Sequence, residues 1–430
     1  MSPSLKLNMT IGRDGGDSLV GLDIQPGLIA AAQAHVNGSL IVERAVGATL
    51  GSDVMREGDV VDGSALSEAL RKLFQGSRLG KRVRVGVANQ RTVMRTLELP
   101  PVTDSKDLAA AVQFQAQDQV PMPLAHAVLD FHPLGIVETP AGARQRVVLV
   151  AAQRDMVERL LAAVRGAGLT PAGVDMSAFA IIRSLYRGDV ADGERVLYLN
   201  VDGLTNVAIA EGTVCRFTRV LGGGVEELAS QLAERRAIPL DHARGLLADV
   251  DLTAPEVEES QSTPPADAAA RGEAPPAAGD QAGDPHPALE PAAAPQPPAP
   301  AQRVAAEPAQ PAGGESDRAR AYAEELGTSA EPSAAQEARA VLENGVRAIA
   351  GEVRNSLDFQ RSQEGGAEVS RVVLSGSALE LVGFARALQE SLGVEVVPET
   401  VDIADRSEVR GLSPHRLAVA AGLATAEITR

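Results

Sequence analysis

The 430-residue chain has no tryptophan, three tyrosines, seven phenylalanines and one cysteine. With so few aromatics, any core must be built from Val, Leu, Ile and Ala. The single thiol, Cys215, excludes an internal disulfide and fits a reducing, cytoplasmic compartment. No apolar run approaches the length of a bilayer span, and the longest, such as Val147 to Ala152, suit buried strands. Residues 1–17 lack a basic start followed by an apolar stretch, so they read as a loose tail and not as a signal peptide. Lysine occurs only at positions 6, 72, 81 and 106, and no basic stripe is present, which argues against nucleic acid as a partner. The six histidines are scattered, and His126 and His132 have no cysteine or acidic cluster beside them to make a metal site.

What is abundant is acid, and it is unevenly placed. The formal net charge is -17, yet residues 251–335 carry 15 Asp/Glu against 4 Arg, so that stretch holds -11 and the remainder only -6. A chain of this sign is not drawn to anionic lipid, and any membrane association is expected through a protein partner. Residues 253–332 also hold 15 of the 27 prolines, and their apolar content is nearly all Ala. Such a stretch cannot bury enough surface to offset the ordering of its backbone, so it is expected to be a disordered insertion, with a transient helix near 316–326.

Outside that stretch, regular elements are legible. Residues 18–50 alternate apolar and polar with turns at Gly38 and Gly47, as a β-meander would. A helix is expected over Ser64–Phe74, with Leu66, Leu70 and Leu73 on one face, and a strand over Arg82–Ala88. A compact unit follows. It comprises a strand over Val93–Leu99 stopped by Pro100-Pro101, a helix capped at Thr103-Asp104-Ser105 and running to Gln119, and strands over Ala127–Leu134 and Arg146–Ala152. Further helices are expected over 155–166, 177–186, 225–235, from 335 onward, over 379–392 and over 413–426. Strands are expected over 371–374 and 394–397. Leu342, Val346, Ile349, Val353 and Leu357 form the buried stripe of the long helix.

Two segments carry the chemistry. Leu19 to Gly27 and Leu197 to Gly203 are each a buried-type strand bearing one acidic or amide residue, Asp23 or Asn200, followed at once by a Gly-containing turn. A duplicated nucleotide-phosphate clamp has this form, in which a strand delivers a carboxylate toward a metal and turn N–H groups cradle phosphates. Both copies are altered, because Pro26 has no N–H to give and Asn200 stands where a metal ligand would be a carboxylate.

The ordered set of segments resembles the actin-like ATPase superfamily, and within it the PilM family of type IV pilus assembly proteins, with FtsA as the next relative. The carrying motifs are R-T-L-E-L-P-P with the following helix and V-L-D (Arg95 to Asp130), G-L-T-P-A-G-V-D (168–175) and T-R-V-L-G-G-G-V-E-E-L-A (218–229). E-V-R-N-S-L (352–357) and S-P-H-R-L-A-V-A-A-G-L-A (413–424) complete them. The resemblance implies an α/β actin-like, duplicated ribonuclease H-like fold with an inserted 1C subdomain and the long insertion. It implies a tail over 1–17, subdomain 1A over 18–92, the 1C-like unit over 93–153 and a return to 1A over 154–192. Subdomain 2A with the start of 2B is implied over 193–252, the insertion over 253–334, the 2B helix over 335–366 and a return to 2A over 367–430.

The resemblance also implies a site and a partner. The nucleotide-contacting positions fall on Asp23, Gln25, Asn200, Asp202, Gly203, Gly222, Gly223, Gly376 and Ser377, with Mg-ATP the cofactor if one is bound and Asp23 its metal ligand. Four parts of that site depart from the family pattern. Gln25, Pro26, Gly27, Leu28 and Ala30 replace the Gly, hydroxyls and Lys of the first loop, and Asn200 replaces the Asp of the second. Arg244 and Leu247 stand for the Glu and Lys of the adenine helix, and Ser377 for the second Gly of the adenosine loop. Each charged hydrogen bond that these replacements remove is worth on the order of 1.5–3 kcal/mol, against about 8 kcal/mol for a micromolar ligand. A pseudo-ATPase scaffold without catalytic residues is therefore expected, and an active, cycling ATPase is the alternative. The partner implied is the N-terminal cytoplasmic peptide of a PilN-like membrane protein, held between subdomains 1A and 1C near Leu99, Phe114, Val120 and Pro121, with other pilus platform proteins beside it. The place implied is the cytoplasm at the inner face of the membrane, reached through that partner and without insertion.

Overall fold

The computed structural model of the chain describes residues 19–140, 142–188, 191, 193–254, 333–362 and 368–425. The expected tail, and all but the edges of the expected insertion with its helix near 316–326, lie outside those residues. Three strands open the fold: β1 (Val20–Gln25), β2 (Leu28–Asn37) and β3 (Ser39–Ala48), paired antiparallel in sequence order. A short hairpin of β4 (Met55–Arg56) and β5 (Asp59–Val60) leads to α1 (Gly63–Phe74). The Asp62 carboxylate caps α1 by accepting from the N–H groups of Ser64 and Ala65, and Leu66 and Leu70 face the core. Strand β6 (Arg82–Val87) then lies parallel to β1.

The compact unit comes next. Strand β7 (Val93–Leu99) precedes α2 (Ser105–Gln119), which Asp104 caps through the N–H groups of Lys106 and Asp107. Strands β8 (Ala127–Thr139) and β9 (Gly142–Gln153) complete a three-stranded sheet in the order β7-β9-β8. Both strands run further than their sequence predicts. Pro133 lies within the expected strand, and on this outer strand the sheet absorbs it with a register shift between Pro133 and Gly135. Pairing with β7 stops at Gln145, so the hairpin tip stands out two-stranded and lacks the alternation of a covered sheet.

Helix α3 (Arg154–Gly166), strand β10 (Thr170–Met176) and helix α4 (Ser177–Leu185) return to the first sheet, and β10 pairs parallel with β6. The second half repeats the opening with β11 (Arg195–Val201), β12 (Thr205–Glu211) and β13 (Val214–Leu221), followed by α5 (Val225–Arg236) and α6 (Leu240–Ala248). Helix α7 (Ala334–Ser362) buries Leu342, Val346, Ile349, Val353 and Leu357, the stripe read from the sequence. Strand β14 (Val369–Ser375) then lies parallel to β11, as β6 does to β1, so each half opens with the same pairing pattern.

The tail end of the fold corrects the sequence reading at three points. The helix expected over 379–392 is a 3-10 turn, Ser377–Glu380, followed by α8 (Phe384–Leu392). Gly383 separates them at φ +82°, and the Leu252 N–H donates to the Val382 carbonyl beside it. Strand β15 (Glu395–Pro398) closes the second sheet, ordered β13-β12-β11-β14-β15. The second point is that residues 367–430, expected together in the second half, are divided. Strand β16 (Asp402–Arg410) adds to β3, giving the first sheet the order β10-β6-β1-β2-β3-β16. The last helix, α9 (Ala418–Leu423), packs into the core of the first half with Leu417. Its small residues explain that placement. A Cβ on Gly422 would lie 1.9 Å from the Ala180 carbonyl oxygen, and one on Gly21 would lie 1.9 Å from that of Ala420. The third point is its length: Pro414–Leu417 forms a separate 3-10 turn, capped by Ser413.

Candidate functional site

The two hairpins read from the sequence meet tip to tip. Asp23 and Gln25 sit two residues apart on β1 and share a face, and the Gln25 amide donates to the Asp23 carboxylate at 2.6 Å. The other end of the same amide reaches across the halves, since Gln25 Oε1 accepts from the Leu204 N–H at 3.1 Å. The turn backbones touch as well: a Cβ on Gly203 would lie 2.1 Å from the Pro26 carbonyl oxygen. Both Asp23 and Gln25 are fully covered.

The second hairpin bonds to neighbouring elements, while Asn200 Oδ1 and both polar atoms of the Asn206 side chain are buried without a partner. Asn200 donates to the Ser375 hydroxyl at 3.1 Å, its register partner on β14. The Asp202 carboxylate accepts from Arg416 Nε at 2.9 Å and lies 2.7 Å from Arg416 Nη2, and Ser377 adds a further hydrogen bond. Gly376 turns this loop at φ +98°, where a Cβ would lie 2.3 Å from the Val201 carbonyl oxygen, so both conformation and space demand glycine. Gly223, at φ +81°, presents its carbonyl to the Thr205 hydroxyl at 2.8 Å. Gly222 stands apart and lines a side cleft.

Glu226, in the first turn of α5, lies beside the first hairpin turn. A Cβ on Gly27 would lie 2.5 Å from its carboxyl carbon, so the carboxylate stands against the first turn. Arg244 on α6 holds it through Nε at 3.0 Å and through Nη2. Leu247, the other altered position of that helix, is buried in the core of the second half. The sequence pointed to neither Glu226 nor Arg416 as site residues, although both fall inside segments that carry the family resemblance, 218–229 and 413–424.

Burial sets the electrostatics. It raises the Asp23 carboxyl from the ordinary 3.8 to about 7; the neighbouring Asp202 pushes the same way, while Gln25 and Arg416 oppose. Burial also raises Asp202, against the pull of Arg416 and Ser377. These residues do not fit a magnesium–nucleotide complex. The turns that would flank phosphates contact each other, with Gly203 against the Pro26 carbonyl and Gln25 bonded to Leu204. A third carboxylate, Glu226, stands at the first loop, where phosphate would meet repulsion.

The compact unit gives a second result. Leu99 and Val120, expected to line a peptide groove, are 4% and 6% exposed and belong to its core with Leu97, Leu108, Val112, Val147 and Leu149. Side chains consumed by that core cannot also face a ligand. Phe114 lies on the opposite side of α2, 74% exposed, and Pro121 is exposed too. A cleft of about 510 Å³ opens instead between Thr92–Arg95 at the start of β7 and Thr218–Gly222 on β13, with Gln90 and Glu352 also lining it. Both β7 and β13 are outer strands of their sheets.

The model of the type IV pilus assembly protein PilM family matches residues 21–242, a little over half of the chain. The chain belongs to the PilM family. A solved chain of a PilM–PilN type IV pilus biogenesis complex aligns with a TM-score of 0.62 at 19% identity, covering 95% of this chain and 97% of that one. The ethanolamine utilization protein EutJ from Carboxydothermus hydrogenoformans aligns at 0.44 with 14% identity, over 94% and 88% of the two chains. MreB 5 of Spiroplasma citri aligns at 0.42 with 10% identity, over 94% of each. The fold of this PilM family member is that of the PilM chain of that complex, and its two hairpin turns are bonded to each other. Among the described residues, no helix is long and apolar enough to cross a membrane.

Proposed function

We propose that this PilM family member serves type IV pilus assembly as a docking protein, binding the N-terminal cytoplasmic peptide of a PilN-like membrane protein without turning over ATP. In this reading residues 93–153 are the 1C-type subdomain, and the partner recruits the protein to the inner face of the membrane. The similarity to the PilM chain of a PilM–PilN complex supports the class of partner. The observation that carries the nucleotide-independent part is the direct contact of the two clamp turns, Gly203 against Pro26 and Gln25 bonded to Leu204.

The peptide is assigned to the cleft between β7 and β13. Two outer strands facing one another offer unpaired backbone groups, and an extended segment entering between them gains main-chain hydrogen bonds on both sides. Val93 and Val220 give the cleft apolar lining, and Arg95, Arg219 and Glu352 give it charged lining. Calorimetric titration of the full chain with a synthetic PilN-like N-terminal peptide tests the proposal, run with and without Mg-ATP. Saturable binding that is the same in both conditions is expected. Absence of binding would remove the docking role. Binding that appears only with Mg-ATP, or phosphate release, would favour a cycling ATPase.

A further inference from the structure

Arg416 belongs to one half of the molecule and is spent on the other. Its 3-10 turn, Pro414–Leu417, stands between β16 and α9, both of which pack with the first half. From there the guanidinium reaches the Asp202 carboxylate at the end of β11, in the second half, through two nitrogens at 2.9 and 2.7 Å. The neighbouring His415 carbonyl accepts from the Gly376 N–H at 3.0 Å, so the turn is fastened to the second half at two adjacent residues. Asp202 is 1% exposed at its side chain and Arg416 24%, so this is a largely buried ion pair, not a surface contact.

The charge around that pair is lopsided. Asp23 from β1, Glu226 from α5 and Glu380 from the Ser377–Glu380 turn all act on the Arg416–Asp202 pair or its members. Arg244 meets Glu226 from the outside, on α6. One carboxylate, Asp202, therefore contacts the guanidinium where the halves meet, and three more carboxyl groups act on that pair electrostatically. A divalent cation bridging phosphates does the same electrostatic work in a nucleotide clamp, drawing acidic groups of two halves toward one positive centre.

We propose that Arg416 is a built-in counter-ion that holds the two halves of the clamp together in place of a metal–nucleotide complex. The proposal rests on the nucleotide-independent reading given above and adds the residue that makes it work. Removing the guanidinium leaves an acidic cage with Arg244 as its one remaining cation among the residues named. Such a cage either springs open or takes up a cation from solution.

The test is thermal melting of the full chain and its variants, with and without millimolar magnesium chloride. Arg416→Ala is expected to lower Tm by roughly 5 °C or more, and magnesium to restore part of the loss while leaving the unaltered chain unmoved. Asp202→Asn, a neutral replacement of similar shape, should lower Tm too, and the double variant should lose clearly less than the sum of the two. Hydrogen exchange at Leu204 and Gly376, the backbone donors that cross the halves, should rise in both single variants. Additive losses, or an Arg416→Ala variant whose Tm and exchange match the unaltered chain, would overturn the proposal. If Arg416→Ala fails to fold, Arg416→Lys and Asp202→Asn still decide it through the same exchange readout. A Mg-ATP-induced rise in Tm of the unaltered chain would instead sink the nucleotide-independent reading and leave the cross-half role of Arg416 standing.

Discussion

Replacing Asp23 by Asn should make the protein more stable above neutral pH, although it alters the most suggestive residue of the clamp. Asn keeps the shape of Asp and still accepts from the Gln25 amide, a bond of 2.6 Å in a fully covered place. What it removes is a charge that burial disfavours. The Asp23 carboxyl titrates near 7 in the fold against an ordinary 3.8. Between those values the folded chain holds a proton that the unfolded chain has released, so stability falls as pH rises through that window and levels off above it. About three units at 1.36 kcal/mol each give a ceiling of about 4 kcal/mol. The gain of Asp23→Asn should therefore be near zero at pH 4, grow across pH 5 and 6, and reach its plateau above pH 7. Urea melts followed by far-UV circular dichroism suit a chain without tryptophan. Asp202, also raised by burial, is present in both proteins, so the difference between them reports Asp23 together with its coupling to Asp202. Parallel pH profiles for the two proteins, offset by a constant or not at all, would refute the reasoning.

Three further outcomes are expected. Gly203→Ala sets a Cβ 2.1 Å from the Pro26 carbonyl oxygen, so the turns must separate at a cost of about 1–3 kcal/mol, visible as a lower Tm and faster exchange at Leu204. Leu149→Ala empties a site 1% exposed in the core of the compact unit; a loss of about 2–5 kcal/mol should appear as selective proteolysis within 93–153. Phe114→Ser alters a side chain 74% exposed and should change stability by less than about 0.5 kcal/mol. It should also leave affinity for the partner peptide unchanged, while Val220→Glu in the cleft weakens it at least tenfold by calorimetry.

Local signals were legible wherever a short stretch contained its own reason. The opening meander, the Pro100-Pro101 stop after β7 and the Asp104 cap of α2 all follow from residues within a turn or two of one another. The duplicated strand–turn pattern located both halves of the clamp. What stayed hidden depended on distance. Strand β16 reads D-I-A-D-R-S-E-V-R, a polar outer strand without alternation that exists because β3 offers it an edge, with the register shifting between Ile403 and Glu408. Arg416 acquires its role from a carboxylate 214 residues earlier, and Glu226 from a turn near the start of the chain. The expected groove residues divide for another reason. Leu99, Phe114 and Val120 are equally apolar on paper, and only the packing of α2 on its sheet assigns two of them to the core and one to solvent.

The last helix gives the first half an unusual biosynthetic schedule. Buried Arg84 on β6 donates to the carbonyls of Leu423 and Thr425, and the separation from Arg84 to Leu423 is 339 residues. At about 5–20 residues per second on the ribosome, β1 and β6 wait roughly 20–70 s for the helix that covers them. The compact unit, continuous from Val93 to Gln153, needs no such delay. A nascent chain of this protein should emerge with residues 93–153 folded and an apolar sheet still uncovered beside them, which makes that sheet a natural client for chaperones until Ala418–Leu423 has been made.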